Sequence, residues 1–363
     1  MQCARYQSCT SRTGLASHGP MAGRSGRFTD VDEAIRSCRS RDEMSAMIDG
    51  EPVELSVALC TCHGEAWLEA QLDSILSQTL QPSELIVGDD ASKDGTFGIL
   101  QAFSKRAPFP VHIARHEPAL GVVDNFEVTL SRARGQYIAL CDQDDLWLPD
   151  RLERSVSKVR QAEGDGSKPV LVHSDLVLID ADGRDMGEKF MEMRGLDGHP
   201  ANPLCVLLRH NLVTGCTVTC NRALLEVARP FPERLVMHDW WLALVAATTG
   251  EIHFMDEPTV RYRQHGNNQV GASRFISRSG FLRALPSASS RRALADVFRQ
   301  DLELGSRFRD RLPDPVLEFI DAIPSGGRRL RKAAVGAGIQ PQGWARRIRF
   351  FLETFTGGYR RYL

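Results

Sequence analysis

The chain has 363 residues, 42% of them apolar and 25% charged. That suffices for one large domain with extensions, or for two domains, and excludes wholesale disorder. Its 45 Lys and Arg against 46 Asp and Glu leave a formal net charge of −1, so no global field draws it to nucleic acid and any basic surface must be local.

No window approaches the roughly 18 consecutive apolar residues of a membrane span; the longest apolar run is about Trp240–Ala247. The N-terminal stretch has arginines but no apolar core of a secretory signal. Nine cysteines, an odd number without framework spacing, read as free thiols of a reduced, cytoplasmic protein. Cys60, Cys62, Cys141, Cys216 and Cys220 lie in or beside apolar runs, where free cysteine behaves as a small core hydrophobe.

Residues 1–50 are rich in Ser, Arg and Gly and read as a flexible leader. From Glu54 strand-like and helix-like segments alternate. Strands are expected over Glu54–Cys60, Glu84–Gly88, Val111–Ala114, Gln136–Cys141 and Val170–Ser174. Helices are expected over Ala66–Gln78, Gly95–Lys105, Asp124–Arg134 and from Pro149 to about Ala162. Apolar strands alternating with amphipathic helices imply a mostly parallel sheet covered on both faces. In the second half Thr214–Cys220 looks strand-like, Arg222–Arg229 and His238–Thr248 helical, and Thr259–Tyr262 an edge strand. Beyond Gly271 the sheet pattern stops and helical segments continue to Leu363.

Ligands of open parallel sheets bind at the carboxyl ends of strands, and the acidic clusters fall there. Asp89–Asp90 closes ELIVG, and Asp142–Gln143–Asp144–Asp145 closes QYIALC. The first pair, followed by Ser92, Asp94 and Gly95, equally suits a capped turn. In the second cluster three carboxylates within four residues repel one another unless a cation or a donor network compensates. Hard oxygen ligands on a short turn suit Mg²⁺ or Mn²⁺ and a phosphate-bearing substrate. The chain has no GxxxxGK[ST] loop, GxSxG elbow or HExxH helix.

The run VALCTCHGEAWLEAQLDSILSQTLQPSELIVGDDASKDGT, followed by GQYIALCDQDDLWLPDRL, resembles the nucleotide-sugar half of glycosyltransferase family 2. Its DQDD-aliphatic-Trp variant is most similar to bacterial rhamnosyltransferase-like members. The likeness extends over about Glu54–Gly271. It implies a GT-A fold: a Rossmann-like, mostly parallel sheet flanked by helices. The implied division is a glycosyltransferase domain over 51–271, with a nucleotide-binding half (51–175) and an acceptor half (176–271), then a helical, basic region over 272–363.

The resemblance also implies roles. Thr61 would line the nucleoside pocket, and Asp90 would read a pyrimidine N–H, as an acceptor-only carboxylate can. Asp142 and Asp144 occupy the family's DxD motif: Asp144 would hold the metal, Asp142 the ribose or a metal-bound water, and Asp145 would help. Asp239, in His238–Asp239–Trp240–Trp241, would be the general base that deprotonates the acceptor hydroxyl. Capping of the following helix is an equally ordinary use of that position. In Tyr262–Arg263–Gln264–His265–Gly266–Asn267, Arg263 would grip a diphosphate and His265 complete the metal shell. Where many relatives have an aromatic and Asn after the first strand, this chain has His63–Gly64.

The expected activity is inverting, Mg²⁺- or Mn²⁺-dependent transfer of a sugar, rhamnose in the leading case. The donor would be a pyrimidine-nucleotide diphosphate sugar and the acceptor a glycan or lipid-linked hydroxyl, in cell-surface polysaccharide synthesis. Two rivals are a nucleotidyltransferase, which would want a Gly-rich basic loop where CTCHGEAW stands, and a receiver-like Mg²⁺-binding domain, whose acidic pair would follow the first strand. After Ala322 nine Arg and Lys face a single acid, Glu353, and Trp344–Phe355 has an amphipathic helical pattern. That pattern fits contact with the inner face of the cytoplasmic membrane, or packing on the domain with a solvated basic face.

Overall fold

The computed structural model describes residues 47–48, 50–266 and 287–363. The expected leader, Asn267 and the end of the sheet pattern at Gly271 therefore fall largely or wholly outside the described residues. The fold is α/β, a mixed, largely parallel sheet with helices on both faces and a helical C-terminal extension, in keeping with a GT-A architecture.

The described chain opens with a short hairpin, Met47–Ile48 against Glu51–Pro52. Then follow β1 (Leu55–Thr61), α1 (Leu68–Leu76), β2 (Glu84–Asp90), α2 (Thr96–Arg106), β3 (Val111–His116), α3 (Val122–Arg132) and β4 (Tyr137–Asp142). β1 is apolar at nearly every position and buried throughout, as a strand covered on both faces requires. Its residues alternate between two cores: Val57 and Leu59 join the core of α1 and α2, Ala58 and Cys60 that of α3.

β5 (Leu146–Trp147), α4 (Arg151–Glu163), β6 (Val170–Ile179), β7 (Asp185–Lys189), α5 (Phe190–Arg194) and α6 (Pro203–Leu207) come next. β8 (Thr219–Asn221), α7 (Arg222–Ala228), α8 (His238–Thr249) and β9 (Glu251–Arg263) complete the sheet layer. The strand order is β3-β2-β1-β4-β8-β6-β9-β5, with β7 paired to β6. The first four strands are parallel; β8 lies antiparallel between β4 and β6, and β9 is parallel to β6.

Two expectations from the sequence need correcting. Thr214–Cys220 is not one strand: Gly215–Thr217 form a 3₁₀ turn before β8. The Thr217 hydroxyl and amide both bond the Thr214 carbonyl, the local side-chain bonding by which threonine competes with extended structure. Thr259–Tyr262 is the end of the 13-residue β9, inside the sheet between β6 and β5. A register shift between Met255 and Val260 interrupts its pairing, and the charged bulge residues hide the strand's first half from a period-two reading.

The extension consists of α9 (Ala288–Arg307), α10 (Asp314–Ala322), α11 (Gly327–Gly336) and α12 (Trp344–Thr356). Phe298, Phe319 and Tyr359 join the same hydrophobic core as α7 and α8. Gln300 of α9 accepts the Val236 N–H at 3.2 Å, and Arg209 pairs with Asp301 at 3.6 Å, both side chains buried. Among the described residues no helix is long and apolar enough to cross a membrane.

Candidate active site

The chain leaves β1 for β2 on one side and returns as β4 on the other, so the site lies at a topological switch point. Register places Cys60 opposite Asp142, and Thr61 opposite Asp89. The Thr61 hydroxyl donates to Asp89 at 2.9 Å, and the Ser92 hydroxyl and amide converge on the same buried carboxylate. Asp90 is also buried, and its two oxygens accept the amides of Leu120 and Gly121 at 2.6 and 2.9 Å. It thus closes the loop before α3 beside the carboxyl end of β2.

The DQDD turn follows. Asp142 is pushed up to about 7 by burial and by the charges of Asp144 and Asp239. Asp145 is raised as well, first by burial and then by Asp144 and Asp142. It accepts the Arg263 amide at one oxygen, while Oδ2 has no hydrogen bond within the fold. Cys216 Sγ and an oxygen from each of Asp142 and Asp145 lie within 4.8 Å of one another. Burial beside these carboxylates pushes the Cys216 thiol up, so it stays protonated and suits a hard cation poorly.

Asp144 turns to the other side. Its Oδ2 is 2.7 Å from His265 Nε2, and the His265 ring stacks on Trp67 at 4.0 Å between centroids. The end of β9 thereby reaches the DQDD turn and the β1–α1 loop together. Arg263 is almost fully buried, and its guanidinium donates to the carbonyls of Asp144 and Ala181. That side chain fastens the turn to the β6–β7 connection, where the sequence suggested a grip on diphosphate.

Three mutually repelling carboxylates, one with an unmatched buried oxygen, fit a hard divalent cation. The guanidinium of a second buried cation, Arg151, donates to the carbonyls of Leu140, Cys216 and Val218 and lies over the Trp147 ring at 3.7 Å. It lowers Asp142 only against larger opposing effects.

Asp239 sits in the first turn of α8. Asn211 Nδ2 and the Trp240 amide donate to its Oδ1 at 3.0 and 2.6 Å. Burial nevertheless outweighs these bonds and pushes the carboxyl up to about 7, close to the value a general base needs at neutral pH. The 3₁₀ turn at Gly215–Thr217 joins both halves of the site, Gly215 beside Asp239 and Cys216 beside Asp145. A Cβ on Gly215 would lie 3.2 Å from His238 Nε2. Both tryptophans after Asp239 are core: Trp240 Nε1 donates to the Leu207 carbonyl and Trp241 Nε1 to that of Ala228.

Several participants escaped the sequence reading. Gln143 clasps Cys62 through both its amide atoms, at 2.8 and 2.9 Å, and Gly64 leaves the room: a Cβ there would be 2.2 Å from Gln143 Oε1. Trp67 and Arg151 stand within the two quoted runs but without an expected role there, and Asn211 stands outside them; tertiary packing brings each to the site. Cys62, expected in the core, is exposed, with Sγ 3.2 Å from His63 Nδ1; the strand ends one residue earlier. His63 and Ala91, both non-glycine, have φ of 53° and 56° beside the site, a strained conformation often found at binding loops.

An α/β sheet with a carboxylate turn at its switch point belongs to the open α/β class whose ligands bind at that point. Residues 56–191 match the family model described as Glycosyl transferase family 2, and over that segment the chain is similar to that family. An uncharacterized protein of Mycobacterium tuberculosis is 28% identical over 214 residues, 59% of this chain and 59% of that protein's length. The dTDP-rhamnosyl transferase RfbG of Shigella flexneri is 27% identical over 234 residues, 59% of this chain and 74% of RfbG. Among solved structures, S. aureus TarS 1–349 in complex with UDP-GlcNAc has a TM-score of 0.48 at 17% identity, over 84% of this chain and 92% of TarS 1–349.

Proposed function

We propose that the chain is an inverting glycosyltransferase that moves a sugar from a pyrimidine-nucleotide diphosphate donor to a hydroxyl of a glycan or lipid-linked acceptor. In this reading it works in the cytoplasm, in cell-surface polysaccharide synthesis. The observation that carries it is the meeting of Asp239 with the DQDD turn in one site: the charge of Asp239 raises Asp142, and Gly215–Cys216 joins the two. The leading donor is dTDP-rhamnose, a choice supported by the DQDD-Leu-Trp variant and by the likeness to RfbG.

Asp239 takes the proton of the acceptor hydroxyl as that oxygen attacks the anomeric carbon in line with the departing diphosphate. Asn211 fixes the carboxylate by holding Oδ1. One displacement inverts the configuration, without a sugar–enzyme bond. Thr61 and Asp90 shape the nucleoside side, and Asp142 faces the ribose. Arg263 holds the turn on which the diphosphate rests. Asp144 and His265 would hold the metal, with Asp142 and Asp145 the further carboxylates of the turn. Bound there, Mg²⁺ or Mn²⁺ supplies Lewis-acid stabilisation of charge on the leaving diphosphate.

The test is a thermal-shift screen of nucleotide sugars with and without Mn²⁺, followed by an assay for free nucleoside diphosphate. The right donor raises the melting temperature by mass action, more so with the cation, and turnover releases the diphosphate. If no sugar nucleotide is stabilising or consumed in the presence of either cation, the reading fails.

A further inference from the structure

α12 carries its polarity inside out. Glu353 and Thr354 are buried, while Ile348, Phe351 and Phe355 are 39%, 38% and 51% exposed. A helix folded only for its own domain would turn the phenylalanines inward and the glutamate outward. The inward face is already docked: Arg346 donates to the Arg194 carbonyl, and Arg209 lies over Phe350 at 4.4 Å. The aromatic stripe is therefore left over after packing, and Phe351 and Phe355 stack on each other there at 6.1 Å.

α11 supplies charge beside it. Arg328, Arg331, Lys332 and Val335 follow i, i+3, i+4, i+7 spacing and are all exposed, so they form one stripe. Arg331 lies over the Phe351 ring at 4.2 Å, and an open groove of about 450 Å³ runs between this stripe and Phe355. The only acid after Ala322 is Glu353, which is buried, so nothing acidic on this stretch offsets the basic stripe.

We propose that the α11–α12 face docks on an anionic lipid bilayer, the phenylalanines entering the acyl boundary and the basic stripe meeting the headgroups. Charge decides against a second copy as the occupant, since a two-fold contact would set the basic stripe against itself.

The experiment is co-sedimentation of the full chain with phosphatidylglycerol-rich vesicles and with pure phosphatidylcholine vesicles, at low and high salt. The wild type should partition onto the anionic vesicles only, and less at high salt. Replacing Arg328, Arg331 and Lys332 by Gln should weaken partitioning on the order of 100-fold, taking about five-fold per charge. Phe351→Ser with Phe355→Ser should also release the protein, and thermal midpoints close to wild type would establish that the variants fold. Equal binding to both vesicle types, unchanged binding by folded variants, or a wild-type dimer in light scattering that these substitutions dissolve would each overturn the proposal. The salt dependence of the wild type tests it without any variant.

Discussion

His265 Nε2 lies 2.7 Å from Asp144 Oδ2, although 121 residues separate them, and the ring is clamped from behind by Trp67. Asp144→Ala should therefore remove the Mn²⁺-dependent part of the stabilisation by donor. His265→Ala should weaken it, and Trp67→Ala should do so by freeing the ring. Thermal shift with a nucleoside diphosphate, with and without Mn²⁺, measures all three; the same cation dependence in Asp144→Ala would remove that residue from the metal site.

Asp239 ties activity and stability to pH with opposite signs. Its folded value of about 7 lies above the ordinary 3.8, so the fold favours the neutral acid. The associated stability is complete below pH 3.8 and is lost as pH rises through 7. As the proposed base, Asp239 must be ionised to act, so turnover should rise with pH over an acid limb at or below 7, since a cation at the turn favours the charged form. Asp239→Asn keeps an acceptor for Asn211. It should lower turnover by about 10²–10⁴ and leave donor-induced stabilisation in place. In cation-free buffer at pH 8 it should also melt higher than the wild type, and a lower midpoint there would refute the burial argument.

The Gln143–Cys62 clasp joins the DQDD turn to the β1–α1 loop. Gln143→Ala removes two hydrogen bonds at about 1 kcal/mol each, so the KM for donor should rise by up to roughly 30-fold with kcat less affected. Gly64→Ala should reproduce this by displacing the same amide. A change confined to kcat would show that the clasp acts on chemistry and not on donor binding.

Gly250 turns the chain from α8 into β9, and a Cβ there would fall 1.9 Å from the Pro169 carbonyl oxygen. Backbone cannot swing aside as Gln143 can. Gly250→Ala should cost about 2–3 kcal/mol, read as a lowered denaturant midpoint with unchanged slope. A midpoint equal to wild type would mean that the β6 end yields freely.

β1, β2 and β4 were legible because each is almost wholly buried and largely apolar, as LSVALCT is, whereas the half-exposed edge strand β3 showed only through its short VHIA run. Asp142, Asp144, Asp239 and His265 could be picked out for a related reason: motif residues at strand and helix ends keep their place whatever surrounds them. The rest depended on packing. The Arg263 side chain has the right chemistry for diphosphate but is held by carbonyls, which no linear pattern reveals. Cys62 looked like a core residue because it adjoins β1, yet one further residue beyond the strand end carries it to the surface. The first half of β9 was hidden by Asp256 and Glu257 at its irregularity.

The bond from Gln300 to the Val236 amide has a practical meaning. Val236 is three residues before Asp239, and Arg307 reaches the Pro230 carbonyl at the start of the same loop. An excised version ending with the sheet would keep every acidic residue of the candidate site, yet the loop leading to Asp239 would lose its tether and Phe298's neighbours would face water. Anyone trimming the gene for crystallisation or engineering should count α9 as part of the frame that holds the candidate site.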